Sequence, residues 1–513
     1  MKRALIIFLC AVLLCLSLCS CKKQPEENSA SASSESTFEQ TTETQSQASA
    51  FKAVIGYYSS DSLNPYKTKS RTNQCIAPLI YDSLFKVSEN YEALPLLAES
   101  IEIDGKKVTV SLRSGLSFSS GNAVTAADVA YSFVLAKSSP LYSDRLANVA
   151  SCTDSADTLI FTLSVPDVFV ASCLDFPVVE RSSGKKELPA GSGRYTIKKQ
   201  NNSYVLTASE SSTSAEVMEQ RHIYLLDLGA TENQIYLLRT GALSCFFDPD
   251  GKKSNQKTDT GVSKVMLNNL VFLGFNSENE LLSDARVRRA IALLTDKDEL
   301  AASAYDSMAQ SAFCVFNPKF STAAALKELK TTADPVAAAS LLDDCNLKLK
   351  SAASKVRLTK DGNRASFTLI VNKEDERRLK AAKLIKSRLE KGGLAVEISA
   401  LSFDDYKSAV ESGEFDLYLG EVKLCANMDL SPFFSSAGKA RYGIDMNSPL
   451  CDAYFDFKEG KIDISTFESV FEEELCFLPL CYRMGAVYYS RPLKFEGAPT
   501  ESDIYSNIYS WSF

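Results

Sequence analysis

The residues that could perform catalysis are few. The chain of 513 residues has one histidine, His222, and it lies in the apolar run His222-Ile-Tyr-Leu-Leu226. Ser-His-Asp and Cys-His chemistry would each require that side chain, and its apolar neighbours indicate a structural role. A single histidine also disfavours a nickel site, and no metal ligands are predicted.

Nucleotide and glycosidase chemistry also lack suitable residues. Neither a Gly-x-x-x-x-Gly-Lys-Ser/Thr loop nor a Gly-x-Gly-x-x-Gly fingerprint occurs in the sequence, so the chain is not expected to hydrolyse ATP. Acidic runs such as Asp404-Asp405 and Glu472-Glu473-Glu474 offer carboxylate pairs of the glycosidase kind. Their helical contexts favour a solvated face instead. The sequence therefore predicts a protein that is not an enzyme and needs no cofactor.

Composition limits the partners and the redox chemistry. The formal net charge is −8 at pH 7, so phosphate backbones would repel the chain and nucleic acid is not an expected partner. The cysteines beyond Cys21 are scattered singly, without a Cys-x-x-Cys pair. Single thiols in apolar runs are usually small core residues. We expect most of them to be free and buried.

The first 20 residues predict export. Lys2 and Arg3 precede an almost unbroken apolar run over residues 4–18, which is short for a membrane span and typical of a secretory signal. The run ends in Leu18-Cys19-Ser20-Cys21, which resembles a bacterial lipobox and implies cleavage before Cys21 and diacylation of its thiol. We therefore expect residues 1–20 to be a lipoprotein signal peptide; an ordinary signal peptide cut elsewhere is the alternative.

Residues 21–50 are predicted to tether a globular body to the membrane. This stretch is rich in Ser, Thr, Glu and Gln, and Phe38 is its one large apolar residue beyond Cys21, so it cannot bury a core. No later stretch of about 18 apolar residues occurs. We expect a protein held by its N-terminal lipid on the extracytoplasmic side of the cell membrane, on a Gram-positive surface or the periplasmic side.

The body that must position any binding site begins at Phe51 and mixes strands with helices. Residues 51–56 read as a buried strand, and residues 108–112 alternate apolar and polar side chains, the period of a half-buried strand. Thr125 and Asp128 resemble a capping box that opens a helix. Glu376 to Lys391 reads as a helix closed by two glycines, within a strand-helix alternation over residues 365–420 that predicts a parallel α/β sheet.

Several blocks in fixed order resemble one known family. They cover residues 95–100, 108–118 and 121–133, the Gly191-Ser-Gly-Arg-Tyr195 turn, residues 237–243, Phe275-Asn276 and the helix over residues 284–294. This order is similar to that of the family 5 extracellular solute-binding proteins, the receptors of peptide, nickel and related ABC importers. The resemblance spans residues 51–513.

The resemblance implies a two-lobed periplasmic-binding-protein fold of the α/β class, type II, with an extra subdomain in lobe one. Lobe one would comprise residues 51–270, including the subdomain at about 78–185, and residues 476–513 would return to it. Lobe two would comprise residues 271–475. Crossovers are expected near residues 268–276 and 474–483. Solute would bind between the lobes by hinge closure, outside the carboxyl ends of the strands.

The resemblance also places ligand contacts on the loop after the first strand, on the crossovers and on the loop after the last strand of lobe two. The expected ligand-binding residues are Tyr57, Tyr58, Ser59, Asn64, Asn276, Glu421, Asn427, Asp429 and Arg441. Tyr442 and Arg483 are further candidates. For Tyr57 and Tyr58, packing within lobe one is the alternative to lining a pocket.

The loop after the last strand departs from the pattern of peptide-binding members. Residues 426–434 read Ala-Asn-Met-Asp-Leu-Ser-Pro-Phe-Phe, and Asp429 and Phe433 match the family's second Asp and its Phe. The position whose carboxylate pairs with a peptide ammonium falls on Ala426. A peptide is therefore the family default and is disfavoured by this site.

These features predict the substrate-binding component of an ABC importer. The expected partners are a small solute such as an oligopeptide, the permease subunits of the importer, and the membrane through the lipid anchor. The protein is expected to be a monomer. A receptor of the same fold that has lost transport and serves sensing, signalling or adhesion is the alternative, and an enzyme is the least favoured.

Overall fold

The computed structural model describes residues 52–201, 203–210, 218–229, 233–252, 259–329, 332–351 and 353–513. The predicted signal peptide, the tether and Cys21 lie outside these residues.

The strands of the described residues are, in chain order, β1 Ala53–Tyr57, β2 Phe85–Val87, β3 Ala93–Pro95, β4 Ala98–Asp104, β5 Lys107–Leu112, β6 Val149–Ser155, β7 Thr158–Leu163, β8 Tyr195–Gln200, β9 Ser203–Ala208, β10 His222–Asp227, β11 Cys245–Asp248, β12 Gly261–Phe275, β13 Ala309–Ser311, β14 Lys348–Leu349, β15 Arg357–Leu358, β16 Ser366–Asn372, β17 Ala395–Leu401, β18 Leu417–Lys423 and β19 Phe477–Tyr489. The helices are α1 Arg71–Gln74, α2 Ala77–Ile80, α3 Ala126–Ser138, α4 Gln234–Arg239, α5 Ala285–Leu294, α6 Lys297–Ser303, α7 Pro335–Asp344, α8 Glu376–Lys391, α9 Phe403–Ser412, α10 Ser431–Phe434, α11 Pro449–Glu459 and α12 Ile464–Glu474.

Two long strands, β12 and β19, connect two hydrophobic cores. They pair antiparallel over most of their length, with bulges between Met266 and Leu270 and between Val271 and Phe272. The first core takes its residues from positions 53–267 and 487–511, and the second from positions 270–482. Each long strand therefore contributes one end to each core, and the fold is the two-lobed α/β fold that the sequence predicts.

The strand directions make the carboxyl ends of the two halves of the sheet face each other. The central sheet has the order β17-β16-β18-β12-β19-β11-β1-β10-β9-β8. In the first lobe β1 is parallel to β10 and β11, and β11 is antiparallel to β19. In the second lobe β16, β17 and β18 are parallel, and β18 is antiparallel to β12. This confirms the parallel arrangement predicted for residues 365–420.

Local sequence signals explain several of these elements. Asp128 accepts a hydrogen bond from the Thr125 N–H at 3.0 Å, and the Thr125 hydroxyl accepts one from the Asp128 N–H at 3.4 Å, so the predicted capping box is confirmed. Helix α8 has the predicted bounds. Helix α9 is longer than the predicted core around residues 406–410, because Ser402 caps its start and Gly413, with φ 76°, ends it.

A four-stranded sheet, β4-β5-β7-β6, adds to the first lobe together with α3. The loop after β7 leaves this sheet and reaches the second lobe, where the Val168 N–H donates to the Lys458 carbonyl at 2.9 Å. Phe169 packs on Phe457 and Phe320, with ring centroids at 5.4 and 5.5 Å. The added sheet therefore contacts the second lobe through its connecting loop.

The cysteines of the described residues, Cys75, Cys152, Cys173, Cys245, Cys314, Cys345, Cys425, Cys451, Cys476 and Cys481, are free, and most are buried. This confirms the prediction of buried thiols. Burial raises the pKa of Cys425 to about 11, so this thiol stays protonated at neutral pH and is a poor nucleophile.

Candidate functional site

A cavity of about 750 Å³ lies between the lobes, beside strand β12. The first lobe contributes α1, α2 and the residues around Arg145 to its wall, and the second lobe contributes Lys319 and the end of β18. Residues 497–503 of the C-terminal segment line the same cavity. Its volume is in the range of small-molecule sites.

Asn268 of β12 positions the second lobe's part of the wall. Its side-chain amide donates to the main-chain carbonyls of Leu424 at 3.2 Å and Cys425 at 2.8 Å. The main-chain carbonyl of Asn268 accepts from the Leu424 N–H at 2.8 Å. These bonds hold the chain after β18 against the crossover strand. Ala426, to which the sequence resemblance assigns the ammonium-binding position, consequently lines the cavity.

The C-terminal segment places a carboxylate in this wall. Glu501 Oε1 lies 2.5 Å from Lys423 Nζ, and Glu501 Oε2 accepts a hydrogen bond from the Asn268 main-chain N–H at 3.0 Å. The Arg71 guanidinium donates to the main-chain carbonyl of Glu501. Burial pushes the pKa of Glu501 upward, but the charges of Lys423 and Arg71 and the hydrogen bonds from Lys423 and the Asn268 N–H together outweigh burial, so this pKa lies below its usual value.

Several other charged side chains of the cavity wall form ion pairs. Arg145 lies 2.6 Å from Asp175, and Lys86 lies 2.7 Å from Asp503. Burial raises the pKa of Asp82, which also lines the cavity, to about 6. The wall therefore combines fixed ion pairs with a carboxyl group that titrates near neutral pH.

Glu421 belongs to a separate ionic network at the crossover strands. Arg483 of β19 lies 2.9 Å from Glu421 and 3.1 Å from Asp250, which follows β11. Asn269 donates to Glu421 at 2.8 Å, and Arg377 donates to the Asp250 carbonyl at 2.5 Å. The expected ligand residue Glu421 thus has two bonded side chains, Asn269 and Arg483, in a network that joins the two lobes.

Asn427 and Asp429 lie near the cavity but serve internal contacts. Asn427 donates to Asp167 at 2.7 Å, and Asp167 forms an ion pair with Lys458 at 2.7 Å. Asp429 accepts from the Ser431 N–H at 3.0 Å and from the Tyr454 hydroxyl. The Asp429 carboxylate therefore holds the start of α10.

The loop after β1 is mostly packed within the first lobe. Tyr57 is buried with its ring edge against Tyr204 at 5.6 Å, and Asn64 is buried with its amide donating to the Lys186 carbonyl. The Ser59 N–H donates to Asp227 at 3.0 Å, and the Tyr58 N–H donates to the side chain of Asn73 at 2.8 Å. For Tyr57 the geometry matches the packing alternative.

Neither Asn276 nor Arg441 is among the residues that line the cavity. Asn276 donates to the carbonyl of Phe415 at 2.9 Å, just before the start of β18. Arg441 donates to the Gly438 carbonyl at 3.0 Å and stacks on Tyr442 at 4.9 Å. Since β18 is about 20 Å long at 3.3 Å per residue, Asn276 is remote from the cavity wall at Lys423.

Sequence reasoning did not select Arg71, Lys423 or Glu501 as site residues. Arg71 and Lys423 do lie in or after the loops that the resemblance pointed to. Glu501 had no such signal, because its bonded partners Asn268 and Arg71 are 233 and 430 positions away in sequence.

Comparison with known protein families agrees with the two-lobed fold. Residues 92–439 match the model of the bacterial extracellular solute-binding proteins, family 5 Middle. The chain belongs to this family. Members are extracytoplasmic substrate-binding proteins of ABC transporters. Among the described residues, no helix combines the length and the apolar character of a membrane span.

Individual relatives are distant. Protein XP55 of Streptomyces lividans is 25% identical over 364 residues, which cover 67% of this chain and 66% of that protein. The oligopeptide-binding protein AppA of Bacillus subtilis is 24% identical over 350 residues, 63% of this chain and 64% of AppA. The matches thus span slightly less than two thirds of each relative.

Solved structures share the fold over nearly the whole chain. An ABC transporter substrate-binding protein from Sinorhizobium meliloti has a TM-score of 0.72 at 18% identity, covering 89% of this chain and 99% of that chain. AppA from Bacillus subtilis, solved in complex with a nonapeptide, has a TM-score of 0.56 at 19% identity, covering 90% of this chain and 98% of that chain.

Proposed function

We propose that this protein is the lipid-anchored, extracytoplasmic substrate-binding component of an ABC importer, and that it binds a small solute in the cavity between its lobes. One observation carries this proposal: both lobes and the crossover strand contribute residues to a single cavity of about 750 Å³. A solute in such a position contacts both lobes at once, so its binding favours the closed arrangement over the open one.

Lobe one is proposed to comprise residues 51–270 and 476–513, with the subdomain at about 78–185, and lobe two residues 271–475. The membership of the two hydrophobic cores supports this division. The proposed partners are the permease subunits and the membrane, and the proposed state is a monomer. Transport energy would come from the importer, since the sequence has no nucleotide-binding loop.

A peptide is the default solute, because the relative AppA is named an oligopeptide-binding protein. The cavity wall argues against the usual ammonium contact, since Ala426 lines it and Asp429 is bonded to Ser431 and Tyr454. The proposal therefore covers a small solute that is held without an ammonium-aspartate pair at position 426. A sensing or signalling receptor of the same fold is the alternative.

Native mass spectrometry of the purified protein tests the proposal. We expect a discrete bound mass that is released on denaturation and lost in Ala426→Trp, because an indole at this position of the wall projects into the cavity and obstructs the solute. Val134→Trp, on an exposed position of α3, is the matched control and should retain the bound mass. Equal occupancy in Ala426→Trp and the control would refute a solute site in this cavity.

The anchoring part of the proposal has its own test. Cys21→Ala should abolish metabolic fatty-acid labelling and release the protein in soluble form, since a diacylated cysteine holds a membrane firmly whereas one acyl chain binds only marginally. Cys19→Ala is the control and should stay labelled. A wild-type protein that incorporates no fatty acid would contradict the lipid anchor.

A further inference from the structure

The C-terminal segment belongs to the first lobe but places one side chain against the second. Ile504, Tyr505, Ile508 and Trp511 are buried in the first core. Three residues before Ile504, the Glu501 carboxylate meets Lys423 at the end of β18, a strand of the second lobe. Glu501 therefore connects the lobes at the wall of the cavity.

The partners of Glu501 are those that suit any carboxylate. One oxygen lies 2.5 Å from an ammonium, and the other accepts from the Asn268 main-chain N–H at 3.0 Å. Charge-assisted bonds of this kind are stronger than neutral ones. The N–H is in a fixed position, because the Asn268 side chain is itself bonded to Leu424 and Cys425.

The lysine of this pair is open to the cavity. The Lys423 side chain keeps 57% of its surface exposed, whereas Glu501 keeps 18%. A carboxylate from solution can therefore reach the ammonium while Glu501 is still bound. The cations of the other cavity pairs are less exposed: Arg145 keeps 32%, Lys86 keeps 35% and Lys319 keeps 45%.

We propose that Lys423 and the Asn268 main-chain N–H form a carboxylate-binding subsite of the cavity, and that Glu501 occupies it as an internal ligand which an acidic solute displaces. This inference rests on the proposed function only in taking the cavity as the solute site. Displacement exchanges one carboxylate for another, so the lysine keeps a partner in both states. Removal of Glu501 should leave the subsite empty and able to bind a small carboxylate.

Chemical rescue tests the subsite without knowledge of the solute. Thermal unfolding of full-length Glu501→Ala is measured in sodium acetate and in sodium chloride of equal ionic strength. We expect the melting temperature to fall relative to wild type and to rise again in acetate but not in chloride. The wild-type protein should show no acetate-specific rise, because Glu501 fills the subsite.

Two further variants locate the effect. Glu501→Ala/Lys423→Met should lose the acetate-specific rise, whereas Glu501→Ala/Lys439→Met, which changes an exposed lysine, should keep it. If Glu501→Ala does not fold, Glu501→Ser, which also leaves the subsite empty, is measured in the same way. Equal responses to acetate and chloride, or an acetate response that survives Lys423→Met, would overturn the inference. Since no solute is involved, this failure is distinct from the absence of a bound mass in native mass spectrometry.

Discussion

At the scale of single residues, the clearest difference that the sequence predicts from peptide-binding members is Ala426. A buried ammonium requires a paired carboxylate, and removal of one partner of such a pair costs about 3–5 kcal/mol. This cost corresponds to roughly 10²- to 10³-fold or more in affinity. Ala426 lines the cavity and supplies no charge. The nearby carboxylates Glu421 and Asp429 are bonded to Arg483 and to Ser431.

We therefore predict that any peptide this protein binds is held without an ammonium-carboxylate pair at position 426. N-acetylation of di- to pentapeptides should change their thermal-shift affinity by less than about tenfold, because no pair is lost. Sugars, opines and metal chelates belong in the same screen. Micromolar peptide binding that is lost on N-acetylation, yet unaffected by Glu421→Gln or Asp429→Asn, would show that the alignment of this loop is wrong.

A second residue-scale feature is the buried carboxyl group of Glu468. The side chain is 2% exposed, and burial together with Glu472 raises its pKa to about 8. Lys297 nearby is also affected, since burial lowers its pKa to about 8. Because the folded-state pKa of Glu468 exceeds the unfolded value, the folded protein binds more protons between about pH 4.5 and pH 8. Its stability falls as the pH rises through this window.

Glu468→Gln should remove this pH dependence. At pH 8 the variant should be more stable than wild type, by on the order of 4 kcal/mol, and at pH 5 the two should be closely similar. Denaturant unfolding at both pH values measures the free energies. Glu473→Gln, at an exposed position of α12, is the control and should follow wild type. Parallel pH profiles for wild type and Glu468→Gln would contradict the assigned pKa shift.

At the scale of elements, the loop after β7 is joined to α11 by a buried ion pair. Asp167 and Lys458 have side chains 2% and 5% exposed, with their charged atoms 2.7 Å apart. Asn427 donates to Asp167, and Lys458 donates to the Asn427 carbonyl at 3.1 Å. The pair therefore fixes three segments that are distant in sequence, and it links the added sheet of the first lobe to the second lobe.

Removing one charge of this pair should cost more unfolding free energy than replacing both charged residues with apolar ones. Asp167→Asn leaves a buried ammonium without its counter-charge, so we expect a loss of about 3–5 kcal/mol of unfolding free energy. Asp167→Leu/Lys458→Met removes both charges and should be more stable than Asp167→Asn. Urea unfolding of the single and double variants measures the coupling. Additive losses would show that the two side chains act independently.

At the scale of the whole molecule, several contacts already hold the lobes together. They are the ion pairs Asp167–Lys458 and Lys423–Glu501, the bond from Arg377 to the Asp250 carbonyl, and the bond from Asn317 to the Tyr91 hydroxyl at 3.0 Å. The two strands β12 and β19 are the covalent connections within the sheet, and both carry bulges or register shifts near the boundary between the cores. We expect rotation about these strands to separate the lobes without disturbing either core.

We predict that the empty protein opens and that a bound solute draws the lobes together. Small-angle scattering should give a smaller radius of gyration for the saturated protein than for the empty one. Asp167→Asn/Glu501→Gln should enlarge the radius of the empty protein, because two of the contacts between the lobes are weakened. A confirmed solute that leaves the scattering curve unchanged would argue against hinge closure.

The sequence by itself determined the helices and strands that depend on nearby residues, and it determined the order of the segments that resemble the family. The Thr125–Asp128 capping box, the bounds of α8 and the parallel strands over residues 365–420 follow from caps and periodicity within short windows. Only the tertiary structure decided which polar side chains meet. Glu501 is hydrogen-bonded to Asn268 at a separation of 233 positions, and Asn427 is hydrogen-bonded to Asp167 at a separation of 260 positions. Such pairs depend on how the crossover strands place the two lobes, and no short sequence pattern indicates which distant residues will meet.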